Sequence, residues 1–137
     1  MVIPLAIAGA MLVFTTLVHA WATGTVIGWV GSDRAAHLRA GSRPRRALVV
    51  SGVVLVMFFA TLVETGAWAA VFLLVGAIES LEESLYFSLV TFTTLGFGDV
   101  VLEAPFRILA AFEAANGVMI FGWTTAVIVS TLDILKD

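Results

Sequence analysis

Thr93-Thr94-Leu95-Gly96-Phe97-Gly98-Asp99, lying between two long apolar runs, decides how this chain is read. Two glycines flank one aromatic residue, so the backbone can visit φ > 0 on either side of it without a Cβ clash. Successive carbonyls can then turn the same way instead of alternating as they do in a strand. Irregular backbone of this kind is tolerated at membrane depth only where protein buries it or where it lines a wet cavity. One copy cannot surround such a stretch. Four copies around an axis would stack their carbonyls into rings, so a cyclic homotetramer is the expected assembly.

The flanking composition places that stretch in a membrane. The chain has 137 residues, of which 61% are apolar. Residues Val2 to Val30, Ala47 to Ile78 and Ala104 to Leu135 each exceed the roughly 20 helical residues that cross ~30 Å of hydrocarbon. The expected fold is an all-α membrane protein with three transmembrane helices, a re-entrant pore helix and a loop. Its parts are an N-terminal helix over 1–31, a basic loop over 32–46 and a unit over 47–137. The N-terminal run lacks a basic start and is longer than the ~7–15 residues of a signal core, so it is read as a retained helix. With no cysteine and only His19 and His37, neither a disulfide nor a thiolate metal site is expected. No organic cofactor and no enzymatic chemistry follow from these residues, and a net charge of −3 argues against a nucleic-acid surface.

Charge sets the expected topology. Five of the seven basic residues, Arg34, Arg39, Arg43, Arg45 and Arg46, fall between the first two spans, where Gly41 and Pro44 mark a loop. That loop is expected to face the cytoplasm, with contact to anionic lipid headgroups as a second role. Glu79, Glu82, Glu83, Asp99 and Glu103 gather on the other side. The N-terminus is then outside, the C-terminus cytoplasmic, and the Thr93–Asp99 stretch opens outward from the cell membrane.

Local signals frame the stretch itself. Ser80-Leu81-Glu82-Glu83 reads as a capping box, with Ser80 accepting from the Glu83 amide and the Glu83 carboxylate reaching back. A helix over 81–93 would be about 20 Å long, too short to span. Glu103-Ala104-Pro105 opens the last helix, expected over 105–135, with Pro105 in its first turn.

Taken together, capping box, short helix, Thr-Thr-Leu-Gly-Phe-Gly-Asp, acidic rim and final span resemble the pore domain of potassium channels over about Val53 to Leu135. The resemblance implies a selectivity filter over 94–99, in which the carbonyls of Thr94, Leu95, Gly96 and Phe97, with the Thr94 hydroxyl, hold K+ ions. Gly98 completes the turn and Asp99 marks the outer end. Thr93 would sit where the pore helix aims its C-terminal dipole toward a central cavity. Gly117 is similar in position to a hinge glycine, and a close-packing glycine is the other reading. Val118, Phe121, Thr125 and Val129 form one helical stripe, read as pore lining with a constriction near Val129, or else as facing the first two spans. The first span has no counterpart in a minimal two-span pore, and peripheral packing is its expected role.

Two departures from the family pattern stand out, Leu95 for the usual valine and Phe97 for the usual tyrosine. Phe97 has no hydroxyl for the bond that the family's tyrosine makes to an aromatic partner on the pore helix, and of Tyr86 and Phe87 in that region Phe87 cannot serve, so the resemblance implies a cuff that rests on packing alone and a softer filter. These departures motivate a weakly selective cation channel as the first alternative to a potassium channel. A non-conducting membrane subunit is the second. A secondary transporter would show paired repeats or two broken helices, and this chain has neither. No arginine-studded helix senses voltage, and only Lys136 and Asp137 follow the last apolar run, so gating is expected within the membrane.

Intramembrane ionisable residues are functional candidates by default. His19, Glu64 and Glu113 qualify. Counting 1.5 Å per residue from the outer ends, Glu64 lies roughly 21 Å and His19 roughly 25 Å deep, so a pair is geometrically possible. Glu113, about 12 Å deep, is within reach of Ser84, Ser88 or Thr91 and is expected to brace the region behind the loop. Asn116 either faces a cavity or bonds between helices.

Overall fold

The computed structural model describes residues 2–32, 36–37 and 41–135. Among these, four long or medium helices carry the fold and no strand occurs: α1 (Val2–Val30), α2 (Arg43–Leu74), α3 (Leu81–Phe92) and α4 (Arg107–Ile134). Helices α1, α2 and α4, of 29, 32 and 28 residues, are long and apolar enough to cross a membrane. Helix α3, at 12 residues, is too short to do so.

Each long helix buries one face and leaves apolar side chains on the other. In α1 the buried set Ala8, Met11, Thr15, His19, Ala22 and Val26 recurs every three or four residues. Leu17, Trp21 and Ile27 on its opposite side are 64%, 75% and 66% exposed. In water such a surface would be a liability. Against lipid tails it is the expected exterior.

Helix α2 begins four residues before the expected Ala47, because Pro44 stands in its first turn, where the missing N–H costs no bond. The residue read as a loop marker is a helix starter. Arg43, Arg45 and Arg46 therefore lie on α2 rather than in a loop, and Arg34 and Arg39 fall outside the described residues. Arg46 reaches across to donate to the Leu135 carbonyl at 2.5 Å, capping the end of α4 with a cation. At its other end α2 stops at Leu74, four residues before Ile78. Gly76 adopts φ +70° there. Its amide bonds the Leu73 carbonyl at 3.1 Å and the Ala77 amide bonds the Phe72 carbonyl at 2.9 Å, the paired bonds of a Schellman stop.

Helix α3 starts where expected, with Ser80 Oγ accepting from the Glu83 amide at 3.1 Å. Helix α4 starts two residues later than expected, at Arg107 with Phe106 as N-cap. Pro105 stands in the preceding turn and not in the helix.

Helix α1 packs against both α2 and α4, and α3 against the same two helices. Helix α1 thus packs on the outside of the α2–α4 pair, touching α4 directly as well as α2. Two apolar clusters form the core. One gathers Met11, Trp68, Phe72, Phe87, Phe92 and Leu109 around α3. The other gathers Val26, Val30, Val49, Val53 and Met57 toward the start of α2 and the end of α4. Between them lies a buried polar belt of Thr15, His19, Glu64, Thr65, Glu113 and Asn116.

Candidate functional site

The loop after α3 is built by the end of that helix. The Thr93 amide bonds the Leu89 carbonyl at 3.1 Å and the Thr94 amide bonds Thr91 at 2.9 Å. Leu95 and Gly96 both donate to the Val90 carbonyl, at 2.9 and 3.3 Å. The Thr93 hydroxyl turns back to the Leu89 carbonyl at 2.7 Å. The last carbonyls of α3 are thus consumed by the loop, and the loop's path is fixed to the helix axis.

Beyond that anchor the backbone alternates. Thr94, Gly96 and Gly98 have φ of +60°, +55° and +78°, while Leu95 and Phe97 between them stay negative. Alternation of positive and negative φ is what allows successive carbonyls to turn to one side. The glycines were legible in the sequence as positions free to do this. Thr94 was not, because a β-branched residue at positive φ is an outlier that local preference argues against. Strained residues of this kind cost about 1–3 kcal/mol and cluster at functional positions.

The whole stretch from Thr93 to Asp99 is exposed on the protomer, Leu95 by 56% and Phe97 by 65%. At its outer end Tyr86 Oη donates to Asp99 Oδ2 at 2.6 Å, and the Val100 amide donates to Asp99 Oδ1 at 3.1 Å. The Tyr86 hydroxyl holds the Asp99 carboxyl below its usual range, and Asp99 in turn raises the Tyr86 phenol. This tether joins residues 13 apart, and no local signal in the sequence announces it. Arg107, whose Nε donates to the Leu102 carbonyl at 3.0 Å, helps line a crevice of about 280 Å³ between α3 and the loop.

Helix α4 runs beneath the end of α3. It passes through Gly117 unbroken, and a Cβ there would stand far inside contact distance of the Phe92 carbonyl oxygen. Close approach is what Gly117 permits. Phe121 meets Phe92 edge-on at a ring-centroid distance of 6.0 Å. Val118, Phe121, Thr125 and Val129 are all exposed. The buried face is the other one, carrying Glu113, Asn116 and Ile120, with Glu113 meeting α3 and Asn116 meeting α1.

Buried polar contacts link all four helices. His19 Nδ1 pairs with Glu64 Oε1 at 3.0 Å, and His19 Nε2 meets Thr124 Oγ1 at 3.1 Å. Both His19 and Glu64 are fully buried. Asn116 donates to Thr15 Oγ1 at 2.9 Å, so it bonds between helices. Ser84 and Ser88, one turn apart on α3, bond the Ala69 and Thr65 carbonyls, one turn apart on α2, at 2.6 and 2.7 Å. Ser88 Oγ also lies 2.5 Å from Glu113 Oε1. Of the three hydroxyls considered for Glu113, Ser88 is the one that meets it. Among the described residues, His, Asp and Glu form no cluster of three that would hold a metal.

A short helix capped at its C-terminus by an irregular loop, set between two spanning helices, defines a membrane protein of the ion-channel class. The protein family described as "Ion channel" matches residues 58–133, more than half of the chain. The chain belongs to that family. The match takes in most of α2, all of α3, the loop and nearly all of α4, and leaves α1 outside. No curated protein and no solved structure matches the chain significantly.

Proposed function

We propose that the chain is one quarter of a homotetrameric potassium channel whose filter is Thr94 to Asp99. The observation that carries this reading is the alternation of φ at Thr94, Gly96 and Gly98 in a segment that one protomer leaves exposed. Aligned carbonyls of Thr94, Leu95, Gly96 and Phe97 from four copies would replace the water shell of a K+ ion. The exposed stripe Val118, Phe121, Thr125 and Val129 then faces the conduction path below, with Thr93 at the inner mouth of the filter. Gly117 serves close packing of α4 on α3 rather than a bend.

The reading carries a topology with it. The tetramer sits in the cell membrane, N-termini outside and C-termini cytoplasmic, with the five arginines from Arg34 to Arg46 at the inner surface. Arg34, Arg39, Arg43 and Arg45 are proposed to meet anionic lipid there. Arg46 is already engaged by α4.

A second reading is favoured by one specific feature. Phe97 lacks a hydroxyl and is 65% exposed, so within its own protomer its side chain gives the filter no polar strut. A softer filter discriminates less against Na+, which would make a weakly selective cation channel. Reversal potentials of the purified protein in planar bilayers, with K+ on one side and Na+ on the other, separate the two. A potential close to the K+ limit supports the potassium channel. A potential near zero supports weak selectivity.

A further inference from the structure

The contact between α3 and α4 behind the loop has one proton too few if Glu113 is ionised. Ser88 Oγ stands 2.7 Å from the Thr65 carbonyl oxygen and 2.5 Å from Glu113 Oε1. A serine hydroxyl has one hydrogen to give and two lone pairs to receive, whereas a carbonyl oxygen only accepts. Thr65 therefore takes the Ser88 hydrogen. The hydrogen between Ser88 and Glu113 must then come from Glu113. The reverse assignment, Ser88 donating to a carboxylate, leaves two oxygens facing each other at 2.7 Å with nothing between them.

The surroundings agree with that count. Glu113 and Ser88 are fully buried, and Glu113 Oε2 is buried with no hydrogen-bond partner. A carboxylate there would hold a full charge on one hydrogen bond in an apolar site. The carbonyl oxygen of a neutral acid is far less costly to leave unpaired. Among the described residues no Lys, Arg or His forms an ion pair with Glu113, while the other buried glutamate, Glu64, has His19.

We infer that Glu113 is a proton-donating positioning residue: its carboxylic acid donates to Ser88, Ser88 donates to the Thr65 carbonyl, and this one-way chain locks α3 between α4 and α2. The direction of the bonds stands on the protomer alone. Its consequence for conduction rests on the filter reading, because α3 is the element from which the Val90 carbonyl anchors Leu95 and Gly96.

Infrared spectroscopy of the full chain in lipid bilayers at neutral pH tests it. The carbonyl stretch of a protonated carboxylic acid is expected in the wild type, retained in Glu64→Gln and lost in Glu113→Gln. In Ser88→Ala the same band is expected to move to the frequency of an acid without an acceptor, which gives a second readout should Glu113→Gln not fold. A spectrum in which no acid band responds to either Glu113→Gln or Ser88→Ala overturns the assignment. Glutamine keeps a donor at this place, so Glu113→Gln should keep ion flux within about twofold, whereas Glu113→Met, with no donor, should lower it by about fivefold, the size of one net hydrogen bond. Glutamine and methionine behaving alike would also overturn it. An acid band that responds as expected in a protein that conducts nothing would sink the filter reading and leave the proton assignment intact.

Discussion

Asp99 and Tyr86 carry the pH dependence that the exposed end of the loop permits. The Tyr86 hydroxyl depresses the Asp99 carboxyl, so this tether is fully formed above the ordinary carboxylate range and is lost as pH falls through the lowered value. Tyr86 is raised by the same bond, so on the alkaline side the tether persists up to the ordinary phenol range and fails as pH climbs through the raised value. Tyr86→Phe should return the Asp99 titration, followed by carbon-13 NMR, upward toward the ordinary carboxylate range. An unchanged titration would mean that the bond does not form. Gly117 offers a steric test at the same scale. Gly117→Ala sets a methyl against the Phe92 carbonyl, and the overlap should cost about 1–3 kcal/mol in thermal unfolding in detergent. A neutral outcome would show that α4 does not approach α3 this closely. That Gly96 and Gly98 would take positive φ was legible from residue type alone. That Thr94 would join them was not, because only the geometry beyond the Val90 anchor demands it.

At the scale of the element, α1 is the part that sequence reading left without a role. Its length and apolar composition announced a span, but nothing local says which neighbours a uniformly apolar helix will choose. The answer lies in residues far apart in the chain: Thr15 with Asn116, and His19 with both Glu64 and Thr124. Depth counting brought His19 and Glu64 to similar heights, and the third partner, on α4, had no signal beyond being a threonine. The ends of α2 were misjudged for a related reason. Proline and glycine punctuate a helix from either side of its boundary, and the sequence alone does not say which. Because His19 and Glu64 are buried together, losing one leaves the other unpaired in the belt. His19→Ala should therefore destabilise the protein by about 1–3 kcal/mol, the cost of leaving a buried polar group without its partner. The double variant His19→Ala with Glu64→Leu should recover part of that loss, measured by thermal unfolding in the same detergent. A double variant no more stable than the single would show that the two residues do not interact.

For the molecule as a whole, the exposed loop and the exposed face of α4 are the surfaces that the proposed tetramer would bring together. If the proposed topology sets Leu95 and Phe97 at membrane depth, their exposed backbone needs protein or water around it, because lipid cannot satisfy it. Native mass spectrometry of the purified protein should find four chains, and a persistent monomer would leave the carbonyls without a ring. Family membership fixes the class, and conduction by this loop is the central claim that follows from its geometry. Potassium flux into liposomes containing the purified tetramer, driven by opposed K+ and Na+ gradients, tests that claim most directly, with assembled Gly96→Ala as the control. The account predicts K+ uptake that Gly96→Ala abolishes. Silence from an intact wild-type tetramer, or flux that Gly96→Ala leaves untouched, would contradict it.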